Sequence, residues 1–138
     1  MMNQTPYVTL VDAGDAIQGA PVGTLSEGGY IIDIMNQTGY DVAVPGNHEF
    51  DYRSGGLANM LNTAKASGEN VPSLVVCNVD WSAMEKAGLT EGQQQIKDAF
   101  ENYGVKDYVV VQKGDVKIAV LVYLVKIRWI ARQHANCF

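Results

Sequence analysis

The sequence predicts an α/β fold. Short apolar, β-branched runs alternate with segments of helical periodicity, and the first two of those runs end in a polar, glycine-containing turn. The order β, α, β, α, β with short connections suits parallel strands joined by right-handed crossovers. The chain's 138 residues are enough for one domain with a core, though small for a two-layer α/β enzyme. With 47% hydrophobic and 18% charged residues, the composition is that of a globular protein. A net charge of −5 leaves no basic patch for a nucleic-acid polymer or an anionic membrane. No apolar run is long enough to span a bilayer, and no signal peptide is visible at the start. Cys77 and Cys137 form neither a disulfide framework nor a zinc spacing, and Cys77 reads as a small buried residue.

Residues 7–11 (Tyr-Val-Thr-Leu-Val) are expected to form a buried strand running into the polar turn 12–19. Residues 26–38 carry Tyr30, Ile31, Ile34 and Met35 at helical spacing, with Gly39 as the C-terminal stop. A second strand, 41–44, is broken by Pro45 and Gly46 and leads into a dense polar loop ending at Asp51. Residues 54–67 predict a helix with Leu57, Met60, Leu61 and Ala64 on one face and Gly68 as its stop. Residues 73–77 predict a third buried strand. Residues 80–91 read as irregular, and 92–103 as a helix with Ile96, Ala99, Phe100 and Tyr103 inward. Runs 108–112 and 116–122, separated by Lys113-Gly114-Asp115, predict a β-hairpin.

The two polar turns carry the chemistry. In an open α/β sheet, ligands bind at the strand tips, where both turns should lie. A carboxylate, an amide oxygen and an imidazole brought together there suit divalent metals such as Mn, Zn, Mg or Fe. Asp15 could offer one oxygen to each of two ions, and Asn47 could add a neutral oxygen. His48 need not be a ligand: with Asp51 three residues on, it could be held protonated and act on a leaving-group oxygen. Taken singly, a Gly-Asp turn is more often a structural cap, and an Asn-His pair more often a solvated turn. Their occurrence together, in this order along an α/β pattern, favours a site.

Gly14-Asp15-Ala16-Ile17-Gln18-Gly19 and Gly46-Asn47-His48-Glu49-Phe50-Asp51 resemble the second and third motifs of the calcineurin-like metallophosphoesterases. Gln18 and the Glu-Phe-Asp ending resemble the 5′-nucleotidase / 2′,3′-cyclic-nucleotide phosphodiesterase branch, and the likeness runs over roughly residues 7–121. The resemblance implies a partial metallophosphoesterase sandwich, with β-sheets flanked by helices. It implies hydrolysis of nucleotide phosphate esters by a metal-bound hydroxide at a two-metal centre. Asp15 and Asn47 would be metal ligands; His48 and Asp51 would be catalytic, Asp51 orienting His48. It further implies a separate C-terminal domain that grips the substrate and an extracytoplasmic location.

The chain departs from that pattern. The family's Asp-x-His motif and its later metal-site histidines have no counterpart; His134, the other histidine, matches neither context. The expectation is therefore a fragment truncated at both ends, with little or no activity alone. The alternative, from another class, is a non-catalytic binding domain of the same fold. A Gly-rich phosphate-binding module of another kind is disfavoured, since no Walker-type or dinucleotide-binding glycine pattern follows a strand. Residues 1–121 are read as part of the catalytic domain. Residues 122–138 are set apart: shifting the frame of one codon choice from Val122 gives Leu-Phe-Gly-Lys-Asp-Ser-Leu-Asp, which resembles the family's own continuation. A frameshift is the preferred reading of that tail, and a lineage-specific helix the other. The sequons at Asn3 and Asn36 are taken as chance, and Trp81 as packing rather than base stacking.

Overall fold

A computed structural model describes residues 7–67 and 70–124. In chain order its elements are α1 (Pro21–Leu25), α2 (Gly29–Thr38), β1 (Val42–Ala43), a single 3-10 turn (His48–Phe50), α3 (Arg53–Ala66), β2 (Ser73–Leu74), α4 (Trp81–Ala87), α5 (Glu91–Tyr103), β3 (Tyr108–Lys113) and β4 (Val116–Leu121). The class is α/β, with helices and two small sheets. β1 and β2 pair in parallel, Val42 opposite Ser73 and Ala43 opposite Leu74. Single parallel bridges extend this pairing at Val11–Val42 and Val75–Lys106. β3 and β4 form an antiparallel hairpin closed by Gly114 and Asp115, with Lys113 opposite Val116.

The pleat explains why the central runs are continuously apolar. Successive side chains alternate faces, and here both faces are covered. Val42, Val44 and Val75 point to one side, where Val109, Val111, Val120 and Val122 of the hairpin segment close over them. Ala43, Leu74 and Val76 face the other side and join the main core with residues of α2, α3 and α5. The most extensive helix contact is between α3 and α5. Leu57 and Leu61 on α3 and Ile96 and Ala99 on α5 are almost fully buried in that core. α5 is also well started: the Thr90 side chain accepts from the Gln93 amide, and the Gln93 side chain accepts from the Thr90 amide. Tyr103 at its far end donates its hydroxyl to the Pro72 carbonyl (2.8 Å), and burial pushes that phenol up to about 12.

Several expectations hold. α2 ends where Gly39 takes a left-handed conformation (φ 82°) and donates to the carbonyls of Met35 and Asn36. Leu57, Met60, Leu61 and Ala64 are buried on α3, and Ile96, Ala99, Phe100 and Tyr103 on α5. The hairpin forms as expected. Gly68, the expected stop of α3, lies outside the described residues.

Others are corrected. Residues 7–11 do not form a buried strand: Leu10 and Val11 align with β1 through a few backbone bonds, and Val11 is 43% exposed. No strand flanks that edge among the described residues, and Tyr7, Val8 and Val11 stay exposed. On α2 the buried positions are Ile32 and Met35, while Tyr30 and Ile34 are exposed, because the helix turns its contact face by one residue. Residues 80–91 are not irregular. Asp80 caps α4 by accepting from the Ala83 amide (2.9 Å), and α4 buries none of its residues completely. Cys77 is half-buried rather than buried. Trp81 meets Phe100 edge-to-face at 5.9 Å, which is packing.

Beyond β2, Asn78 acts as an artificial strand partner. Its side-chain amide donates to the Leu124 carbonyl and its side-chain oxygen accepts from the Leu124 amide, both at 2.8 Å. The Cys77 amide adds a bond to the Val122 carbonyl (3.0 Å). Of the tail set apart in the sequence, residues 125–138, with Trp129, His134 and Cys137, lie outside the described residues.

Candidate functional site

The first turn leaves the sheet at Asp12, whose amide donates to the Val42 carbonyl (3.0 Å). The Asp12 carboxylate then accepts from the Gly14 amide (2.9 Å) and tightens the loop. Gly14 and Asp15 both take positive φ, 98° and 62°. Aspartate is among the few non-glycine residues that adopt this region readily, because its short polar side chain bonds locally. Ile17, buried, pins the far side of the turn into the core.

The second turn leaves β1 through buried Val44 and Pro45 and winds into the 3-10 turn. Phe50 is buried and holds that turn against the core. Asn47 precedes it in the right-handed helical region and makes no side-chain cap. The His48 ring nitrogen Nδ1 lies 2.7 Å from Asp51 Oδ2. That hydrogen bond is the main reason the imidazole is held above its ordinary value of 6.5; partial desolvation opposes it, and the charges of Asp51, Asp15 and Glu49 add to it.

The two turns touch backbone to backbone. A Cβ built on Gly14 would lie 2.6 Å from the Gly46 nitrogen and 2.7 Å from its Cα, so neither turn has room for a side chain there. Polar bonds then join them. Asp15 Oδ1 accepts from the His48 amide (2.9 Å). Glu49, 6% exposed, lies buried between the turns. Its Oε2 accepts from the amides of Asp15 (2.9 Å) and Gly46 (2.6 Å), and its Oε1 from the amide of Ala16 (2.8 Å).

All four residues singled out in the sequence therefore fall in one joined pair of turns. Glu49 lies within the second motif, where the sequence alone assigns it no role. A signal was available: a carboxylate flanked by glycine turns, beside a buried aromatic, needs donors, and turn amides are the nearest ones. As for metal, the oxygens of Asp15 and Asn47 are of the kind that hard divalent ions take. Among the described residues, however, no group of three or more His, Cys, Asp or Glu side chains is arranged to hold an ion. Asp15 and Asn47 supply two donors, fewer than a complete metal site needs.

No family model matches the chain. Its similarity is to partial homologues consistent with the 5′-nucleotidase branch of the metallophosphoesterases. Cow 5′-nucleotidase is 45% identical over 56 residues, 41% of this chain. A 2′,3′-cyclic-nucleotide 2′-phosphodiesterase/3′-nucleotidase from Haemophilus influenzae is 34% identical over 103 residues, 69% of this chain. Endonuclease YhcR from Bacillus subtilis is 37% identical over 76 residues, 49% of this chain. The matched stretches span only 10%, 15% and 6% of those relatives, so each comparison concerns a small part of a longer protein.

Proposed function

We propose that this chain carries part of the catalytic domain of a phosphoesterase that hydrolyses nucleotide phosphate esters. The observation supporting this most directly is the joined pair of turns, in which hydrogen bonds link Asp15 to His48 and His48 to Asp51, with Asn47 beside them in the chain. Relatives named 5′-nucleotidase and cyclic-nucleotide phosphodiesterase supply the substrate class. In this reading the helices and sheets are part of a metallophosphoesterase sandwich. A substrate-binding domain and an extracytoplasmic location belong to the whole protein.

Asp15 and Asn47 are proposed as two ligands of a two-metal site whose other donors have no counterpart among the described residues. Divalent ions bound there would supply Lewis-acid polarisation of a phosphoryl oxygen. The chain's own residues do the rest. His48 donates Nδ1–H to Asp51, which fixes the ring and favours its protonated form, whose Nε2–H would protonate the departing ester oxygen. Asp51 positions His48 and stabilises its charge.

Manganese titration of the isotopically labelled protein tests the metal reading. Paramagnetic broadening is expected to concentrate on the amides of Asp15, Asn47 and His48. Broadening spread evenly, or confined to the exposed carboxylates of α5, overturns it. Because two donors hold ions weakly, the chain alone is expected to release phosphate from AMP at background rate even with manganese.

A further inference from the structure

We infer that Glu49 is the positioning residue that assembles the two turns, setting the Asp15 carboxylate against the His48 main chain before any metal or substrate arrives. Its importance for catalysis rests on the proposed function above; the clamp itself does not.

Three observations carry the inference. Among the described residues Glu49 is the one fully buried charged side chain, and its carboxylate accepts only from main-chain amides. A buried carboxylate is costly unless its oxygens are satisfied, and three N–H donors from two loops satisfy it. The donors are also well separated in sequence: Asp15 and Ala16 lie 34 and 33 positions away, whereas Gly46 belongs to Glu49's own turn. One oxygen, Oε2, accepts from an amide of each turn at once, and Oε1 adds a second bond to the first turn. Finally, Asp15 is held at both ends of the residue: its amide is fixed by Glu49 and its Oδ1 by the His48 amide. Its positive φ is maintained by neighbours rather than by a glycine. Glu49 does not touch the His48 amide, yet the inference makes that bond depend on Glu49.

This dependence gives a readout that a merely local structural role would not move. Amide hydrogen exchange is measured residue by residue in the native chain and in Glu49→Gln, with the α5 amides as a stability reference. In the native chain the amides of Asp15, Ala16, Gly46 and His48 are expected to be protected together. In Glu49→Gln the NH2 that replaces one acceptor oxygen cannot take an amide N–H, and exchange at His48 is expected to rise at least tenfold relative to the α5 reference, along with that of the bonded amides facing the NH2. If His48 keeps its protection while those bonded amides lose theirs, Glu49 does not position Asp15, and the inference fails.

Asp15→Gly serves where Glu49→Gln does not fold, since glycine accepts the same φ. Here His48 alone is expected to lose protection, the three Glu49-bonded amides keeping theirs. Collapse of all four would make the Asp15 carboxylate the organiser instead and overturn the inference. The manganese titration remains separate: failure of broadening with the exchange pattern intact counts against the metal reading alone.

Discussion

Replacing Gly14 by alanine probes the contact on which the site is built. The new Cβ would lie 2.6 Å from the Gly46 nitrogen and 2.7 Å from its Cα, distances at which backbone must move. Two costs combine. Holding alanine at φ 98° costs about 1–2 kcal/mol, and the overpacking adds about 1–3 kcal/mol. The expected loss is roughly 2–5 kcal/mol, a large share of the roughly 5–15 kcal/mol that stabilises a domain. Gly39→Ala is the control, because Gly39 also has a positive φ (82°) but nothing within 4 Å of a built Cβ. It should lose only the conformational part, about 1–2 kcal/mol. At about 4 °C per kcal/mol, the melting temperature should fall by roughly 8–20 °C for Gly14→Ala and roughly 4–8 °C for Gly39→Ala. Thermal and urea unfolding followed by circular dichroism measure both. Equal losses in the two variants would refute the close approach of the turns.

Three further outcomes follow from the same structure. The raised His48 value means that the Asp51 contact stabilises the fold fully below about pH 6.5 and loses that contribution as pH rises through the folded value. The urea midpoint of the native chain should therefore exceed that of Asp51→Asn most at mildly acid pH, and the gap should close above neutrality; a gap that widens with pH contradicts the pair. Because the His48 side chain is 40% exposed, solvent keeps the effect modest. Ile96→Ala empties a site 1% exposed between α5 and α3 and should cost about 2–5 kcal/mol in urea unfolding. A cost under about 1 kcal/mol would mean that α5 does not hold the core. Robust phosphate release from AMP by this chain with manganese would overturn the reading of an incomplete donor set.

How far these features could be read from sequence depends on whether their cause is local. The inward face of α5 was readable because Ile96, Ala99, Phe100 and Tyr103 recur at helical spacing in an otherwise polar segment. The hairpin was readable from a glycine turn between two β-branched runs. Residues 7–11 depart from the buried strand their pattern predicts, because a strand is buried only when something packs over it, and no local pattern reports that. α4 is hard to read from sequence despite its cap, Asp80, since a seven-residue helix with no fully buried residue has almost no apolar period. On the site, Asp15, Asn47, His48 and Asp51 announce themselves as polar residues in glycine turns. Glu49 does not, because its partners are main-chain amides, two of them more than thirty residues away, and main-chain amides look alike in any sequence.

The pairing of Asn78 with Leu124 has a consequence for what the end of the described chain can tolerate. An amide side chain that bonds both the N–H and the C=O of one residue reads only that residue's main chain. Every amino acid presents the same two groups except proline, which lacks the N–H. The joint therefore recognises a position and not an identity, and it would fasten a chain of different side chains in the same register. Drift of sequence past Leu121, whatever its origin, can leave the anchoring of that last segment to the sheet unchanged.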